Sequence, residues 1–545
     1  MSKISKIICV VVFSVSILFS LFVLYTPIPS SSASGFSAVA AASYIKEISL
    51  APHSMYDEEN HEDVRLYLKD KLESFVGSEN VVEMNYTAEE ASTDYDVKDL
   101  LGVIQGQSDS GILLVAHYDS RGHVGRTGEL GGSYGAADDG YGLAVLLEVA
   151  RLYGDRTDLK NSIYILITDA EETGLDGARM AATDSALMEK IGFVINVEAR
   201  GVEGAAYMFE TSTNNEKVID FYKNANLPVS YSIATAVYTV MPNLTDFTEF
   251  LALDKQGVNF AVLDSLYYYH TPRDNYTNIN QSSIQHYGEQ IVPLVDEFVN
   301  NTVYSDTSYF VGDQNQVFFT LVPNVFVAYR DGLAVILHLV TILLILGLFV
   351  FLSFQKMIKP LAVVKYLGAI LATITVVAIA GLYISKLIAW LGKTPWKLVY
   401  VRMEGSELPT LGLIVLLTVG LGYLFRHFIK NKNEVTSFLI AGIFLNSVFA
   451  NVTGIVLSGA SFLFFLPSLF GIIVLLIHLY SSNKIVSHLG YSITQLILLL
   501  VLVPLLYSLF LALTVGGLLA LFVILVFYLI ILIPVFLNQF YLDKA

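Results

Sequence analysis

Ile112-Leu113-Leu114-Val115-Ala116-His117-Tyr118-Asp119 is the stretch on which the fold of this chain turns. An unbroken apolar run ends abruptly in a histidine and an aspartate. Such a run reads as a strand buried on both faces, as in a parallel sheet flanked by helices. The pattern recurs twice: residues 162–168 lead into Glu171-Glu172, and residues 192–197 lead into Glu198. All three put polar groups at the C-terminal ends of strands. In an open α/β sheet that edge is where ligands bind.

Two more polar stretches join them, Asp138-Asp139-Gly140 and His270. Taken singly, each has a plain reading: a turn histidine, a helix cap, a solvated acidic turn. Together they supply two imidazoles and at least three carboxylates, donors that suit zinc. Asp119 stands two residues from His117, on the same side of an extended segment. It could therefore hydrogen-bond the far ring nitrogen and fix the tautomer of a ligating histidine. Asp138 and Asp139 precede Leu143, Leu146, Leu147 and Ala150, a helical spacing. One of them could simply cap that helix, but adjacent aspartates repel, and a nearby cation relieves that repulsion. The glycines Gly131, Gly132 and Gly135 let the backbone bend closely around a site.

Composition divides the chain. Over 545 residues, 54% are hydrophobic and the net charge is −17, with a mean hydropathy of +0.59. Residues 35–305 read as a soluble α/β domain carrying most of the acid. That charge argues against nucleic-acid binding. The single cysteine, Cys9, excludes an intramolecular disulfide. An exported domain without disulfides fits a bacterial surface protein.

Lys3 and Lys6 precede an apolar stretch that ends near Tyr25, read as an uncleaved anchor over residues 1–27, with a signal peptide as the alternative. Residues 306–331 form an aromatic and polar juxtamembrane linker expected to pack at the membrane surface. Residues 332–538 contain about seven apolar runs near the length of a membrane crossing. Lys356, Lys359 and Lys365, then Arg426, Lys430 and Lys432, then Lys484 and the tail Lys544, fall on one side if both termini are cytoplasmic. Lys393, Lys397 and Arg402 fit that topology less well. The reading gives eight spans with residues 35–331 outside. The spans hold little ionisable chemistry beyond His338, Lys386 and His478, which disfavours an ion-coupled transporter. His338 is expected to satisfy a local hydrogen bond.

The stretches 116–120, 135–140, 170–175, 196–201 and 269–271 together resemble the signatures of the M28 zinc peptidases, including a membrane-bound branch with a C-terminal multi-span domain. The resemblance covers roughly residues 40–300. It implies a three-layer α/β/α domain with a mixed, mainly parallel central sheet, here joined to an all-α polytopic transmembrane domain. It also implies two zinc ions bridged by Asp138, with His117 and Glu198 on one and Glu172 and His270 on the other. Glu171 would be the general base and Asp119 the support of His117, and the Asp138–Asp139 peptide would be cis. The implied activity is removal of N-terminal residues from peptides by metal-activated water, at the lipid bilayer and outside the cytoplasm. Glutaminyl cyclase-like and carboxypeptidase-type chemistry, or an inactive receptor or scaffold, are the alternatives. Arg200 could face a substrate carboxylate in the carboxypeptidase case. Residues 245–251 read as a short helix bordering the substrate pocket. The sequence carries no signal for oligomeric state.

Overall fold

The computed structural model describes residues 3–122, 132–238, 241, 243–398, 401, 403–429 and 431–541. Gly131, Arg402, Lys430 and Lys544, used in the readings above, lie outside the described residues.

The apolar runs are strands. β1 (Val81–Tyr86), β2 (Val97–Ile104), β3 (Ser108–His117), β4 (Asn161–Thr168), β5 (Ile191–Ala199), β6 (Glu203–Thr211) and β7 (Gly257–Asp264) form one sheet in the order β1-β2-β4-β3-β5-β7-β6. Its centre, β4-β3-β5-β7, is parallel, and β1, β2 and β6 add antiparallel edges. Alternation along the strands divides the core into two layers. Ile112, Leu114, Ile165 and Ile195 pack with the helices Ala38–Ile48, Gly140–Tyr153 and Gln281–Asn300. Leu113, Val115, Leu166 and Val194 face the other way, onto the helices Asp176–Ala182 and Phe247–Leu251. Helices on both faces give the three-layer arrangement and bury the parallel strands fully.

Register brings the strand ends level. His117, the last residue of β3, pairs with Thr168, the last of β4. Glu198 is the next-to-last residue of β5. The helix Gly140–Tyr153 begins beside them because Asp139 caps it, accepting from the Gly142 amide at 3.0 Å. A Cβ on Gly142 would collide with that same carboxylate, so the position requires glycine.

Among the described residues, the C-terminal half contains six apolar stretches long enough to cross a membrane. The last, Lys484–Leu537, is broken by the turn Thr514–Gly517 into the helices Lys484–Leu513 and Leu518–Tyr541. The N-terminal helix Lys3–Leu21 lies against this pair, with Phe13 edge-on to Phe536 at 5.8 Å. His338 departs from expectation. Neither of its ring nitrogens has a hydrogen-bond partner among the described residues; the ring packs 5.3 Å from Phe465 instead. Lys386 lies over the Trp396 ring at 4.7 Å.

The linker folds as a hairpin, β8 (Gln316–Val322) with β9 (Val325–Arg330). It joins the two halves, with Phe319 stacked on Phe462 at 5.0 Å; beside it, Ser232 Oγ accepts from the Phe318 amide at 3.1 Å and donates to the Gly459 carbonyl at 2.7 Å. Leu114 is fully buried at the middle of β3. Leu114→Ala is expected to cost about 2–5 kcal/mol, read as a lowered melting temperature of the full chain in detergent.

Candidate metal centre

Each polar stretch reaches one place above the C-terminal edge of the sheet. The Asp138 carboxylate sits between two imidazoles: its Oδ1 is 3.5 Å from His117 Nε2 and its Oδ2 is 3.1 Å from His270 Nε2. His117 Nε2 is 3.7 Å from Glu198 Oε2, and His270 Nε2 is 3.0 Å from Glu172 Oε1. Two trios have donor atoms within 4.8 Å of one another: His117, Asp139 and Glu198, then Asp138, Glu172 and His270. Asp139, read from the sequence as a supporting residue, thus stands with the His117–Glu198 pair as well as capping its helix. The peptide between Asp138 and Asp139 is cis.

These atoms are close without being hydrogen-bonded. His117 Nε2, His270 Nε2, Asp138 Oδ2, Asp139 Oδ2 and Glu172 Oε1 are buried and make no hydrogen bond among the described residues. Buried polar atoms normally find partners, and five orphans converging on one spot mark a ligand. Donors about 2.0–2.2 Å from a tetrahedral zinc stand roughly 3.3–3.6 Å apart, close to the spacings here. The residues present fit zinc.

The second tier of contacts fixes these donors. His117 Nδ1 donates to the backbone carbonyl of Asp119 at 2.9 Å, while the Asp119 carboxylate is 3.5 Å away. The expected support from the Asp119 side chain is thus supplied mainly by its backbone, because the carboxylate is taken elsewhere. It accepts from the amides of Glu171 at 2.9 Å and Glu172 at 3.1 Å, clamping the acidic turn. With Nδ1 carrying the proton, Nε2 of a neutral His117 presents its lone pair to the site. Ala170, in the left-handed region at φ 57°, swings the chain from β4 into that turn. Glu198 accepts from Asn196 at 3.2 Å, and Asn196 in turn donates to Asn259 at 3.1 Å.

Sequence reasoning missed three members. Asp274, fully buried, accepts from the amides of Ala137 at 2.7 Å and Asp138 at 3.2 Å, and from Ser133 at 3.1 Å. Burial and the neighbouring Asp138 push its carboxyl up to about 7, against those donors. Arg121 donates to the Glu172 carbonyl and lies 3.2 Å from Glu172 Oε2. Asp246 takes the Thr168 hydroxyl, and burial raises it to about 7, with Glu198 and Asp119 adding to the effect. The only signal for Asp274 was its offset of four residues from His270.

The electrostatics follow from crowding. Burial lifts Glu171 well above the ordinary carboxyl range, and the carboxylates of Glu198, Glu172 and Asp246 add to it, while His117 opposes. Burial would also raise Asp138, but the two imidazoles outweigh it and hold that carboxylate below its usual range. Burial disfavours charge on His270, yet Glu172 and Asp138 raise it to about 9. Carboxylates this close compete for protons or share a cation.

A cavity opens at the centre, and Asp138, Glu171 and Glu198 are among its lining residues. Thr245, just ahead of the helix Phe247–Leu251, lies on its wall, and so does Arg200. Arg200 Nη1 donates to the Ala512 carbonyl at 3.1 Å.

The chain matches the model of Peptidase family M28 over residues 99–295. It is 32% identical over 220 residues to the putative endoplasmic reticulum metallopeptidase 1 of Schizosaccharomyces pombe, covering 38% of this chain and 26% of that protein. It is 26% identical over 275 residues to the vacuolar membrane protease of Candida dubliniensis, covering 48% of this chain and 28% of that protein. The chain thus spans about a quarter of the length of these curated relatives. Among solved structures, a Zn-dependent exopeptidase from Parabacteroides distasonis is 18% identical, with 48% of this chain and 99% of that one covered and a TM-score of 0.39. Asp274→Ala, which frees the Asp138 loop, is expected to lower zinc affinity about 10–100-fold, measured by competition with a chromophoric chelator.

Proposed function

We propose that this chain is a membrane-anchored zinc exopeptidase, an aminopeptidase holding two zinc ions and removing N-terminal residues from peptides. The observation that carries the reading is the Asp138 carboxylate, with one oxygen turned to His117 and the other to His270. A carboxylate so placed can bridge two ions. His117 and Glu198 would complete one set, with Asp139 beside them, and Glu172 and His270 the other.

What zinc supplies when bound is Lewis acidity: a polarised carbonyl and a water acidified toward neutrality. The chain's own groups do the rest. Glu171 lines the cavity beside these donors and takes a proton from the attacking water, then hands it to the leaving amine. A carboxyl lifted by burial is suited to carrying that proton. Asp119 holds Glu171 and Glu172 in place through their amides. Arg121 fixes Glu172 from behind.

The choice of an N-terminal substrate rests on where the cavity's arginine points. Arg200, the cation that a carboxypeptidase would use, is turned to the Ala512 carbonyl. Positive residues in the loops at Lys356–Lys365 and Arg426–Lys432 support a topology with the peptidase domain outside. The lone cysteine supports a bacterial cell membrane.

Full-length protein in detergent is expected to cleave peptides with a free N-terminus and to spare their N-acetylated forms, with loss on chelation and recovery on adding zinc. Trimming from the C-terminus, or cyclisation of glutaminyl peptides without hydrolysis, would contradict the assignment. Glu171→Gln is expected to keep its zinc while kcat falls about 10²–10⁴-fold. Undiminished turnover in that variant would remove Glu171 from the role of base.

A further inference from the structure

We infer that the membrane half supplies part of the substrate site. Leu505, Leu509 and Ala512, on the last turns of the helix Lys484–Leu513, form the far wall of a side-chain pocket that selects peptides with a large apolar N-terminal residue. This deepens the exopeptidase reading and rests on it for the identity of the ligand.

The cavity lined by Asp138, Glu171 and Glu198 is also lined by this helix. Leu505, Ser508, Leu509 and Ala512 all border it. Their spacing of three, four and seven residues puts them on one helical face. The opposite walls carry Phe209, Val237, Met241 and Leu263. Beyond Asp138, Glu171 and Glu198, Arg200 is the one charged side chain among the described lining residues. A lysine or arginine side chain would therefore meet an arginine and no carboxylate in the far half. An acidic one would lose its water for an apolar wall.

The wall is fixed to the peptidase domain, not merely near it. Ser508 Oγ hydrogen-bonds the Tyr207 hydroxyl at 3.1 Å. Arg200, two residues after Glu198, donates to the Ala512 carbonyl at 3.1 Å. The Tyr507 hydroxyl donates to Asp264 at the end of β7. Three bonds hold the helix end against β6, the end of β7 and the loop after β5, so the pocket has a set depth. An apolar pocket of set depth discriminates among side chains by size.

The test measures kcat/KM on leucyl, phenylalanyl, alanyl and lysyl arylamides with the full chain in detergent. Leucyl and phenylalanyl substrates should exceed alanyl and lysyl ones at least tenfold. Ala512→Phe, which fills the pocket, and Leu509→Asn, which makes its wall polar, should each lower the leucyl-to-alanyl ratio about tenfold. Zinc content and melting temperature verify folding. A second readout needs no turnover: calorimetric affinity of Glu171→Gln protein for Leu-Gly-Gly against Ala-Gly-Gly, with and without Ala512→Phe. Ratios unmoved by both substitutions in zinc-loaded, active protein overturn the pocket and leave the exopeptidase reading standing. Zinc-loaded protein that cleaves no arylamide overturns that reading instead. The pocket then stands if the Glu171→Gln protein prefers Leu-Gly-Gly and loses the preference with Ala512→Phe, and falls otherwise.

Discussion

The Asp138 carboxylate is the constraint around which the rest of the site is arranged. Its two oxygens face two different histidines, and its backbone is held from behind by Asp274. Everything nearby serves that position. The level ends of β3 and β4 deliver His117 and the acidic turn, β5 delivers Glu198, and the loop after β7 delivers His270. The cost of such a cluster is electrostatic, because buried carboxylates within a few ångströms repel. Shared protons or shared cations relieve it, and the unpartnered Nε2 atoms of both histidines point to cations.

A parallel sheet makes this possible with few residues. Its strands are anchored by apolar contacts on both faces, so the turns at their ends are free of packing duty and can carry polar chemistry. Asp119 illustrates the economy. Two residues past the end of β3, its carbonyl orients His117 while its carboxylate clamps the Glu171–Glu172 turn after β4. Two strands thereby fix each other's functional groups.

Much of this was legible in the sequence. The runs ending at Ala116, Thr168 and Val197 read as buried strands because apolar and β-branched residues dominate them, and the polar residues that follow are where the chemistry sits. What could not be read acts through contacts between distant segments. Asp274 reaches back 136 residues to the Asp138 amide, and Arg121 reaches Glu172 across the sheet edge. Neither belongs to an apolar period. Hydropathy marks Leu505 and Leu509 as membrane residues, and only the tertiary structure turns them toward a polar site. Residues 306–331 read as an aromatic and polar linker at the membrane surface; within them lies the hairpin Gln316–Arg330, whose Phe319 is buried against Phe462.

The two halves of the chain are thus one structural unit at the site, joined by side-chain hydrogen bonds and a stacked aromatic pair. Zinc X-ray absorption on the full chain reports on the bridge proposed for Asp138. Two zinc ions per chain and a zinc–zinc scattering path at about 3.5–4 Å, lost in Asp138→Ala, are expected. A single zinc per chain, or two without a metal–metal path, would rule the bridge out.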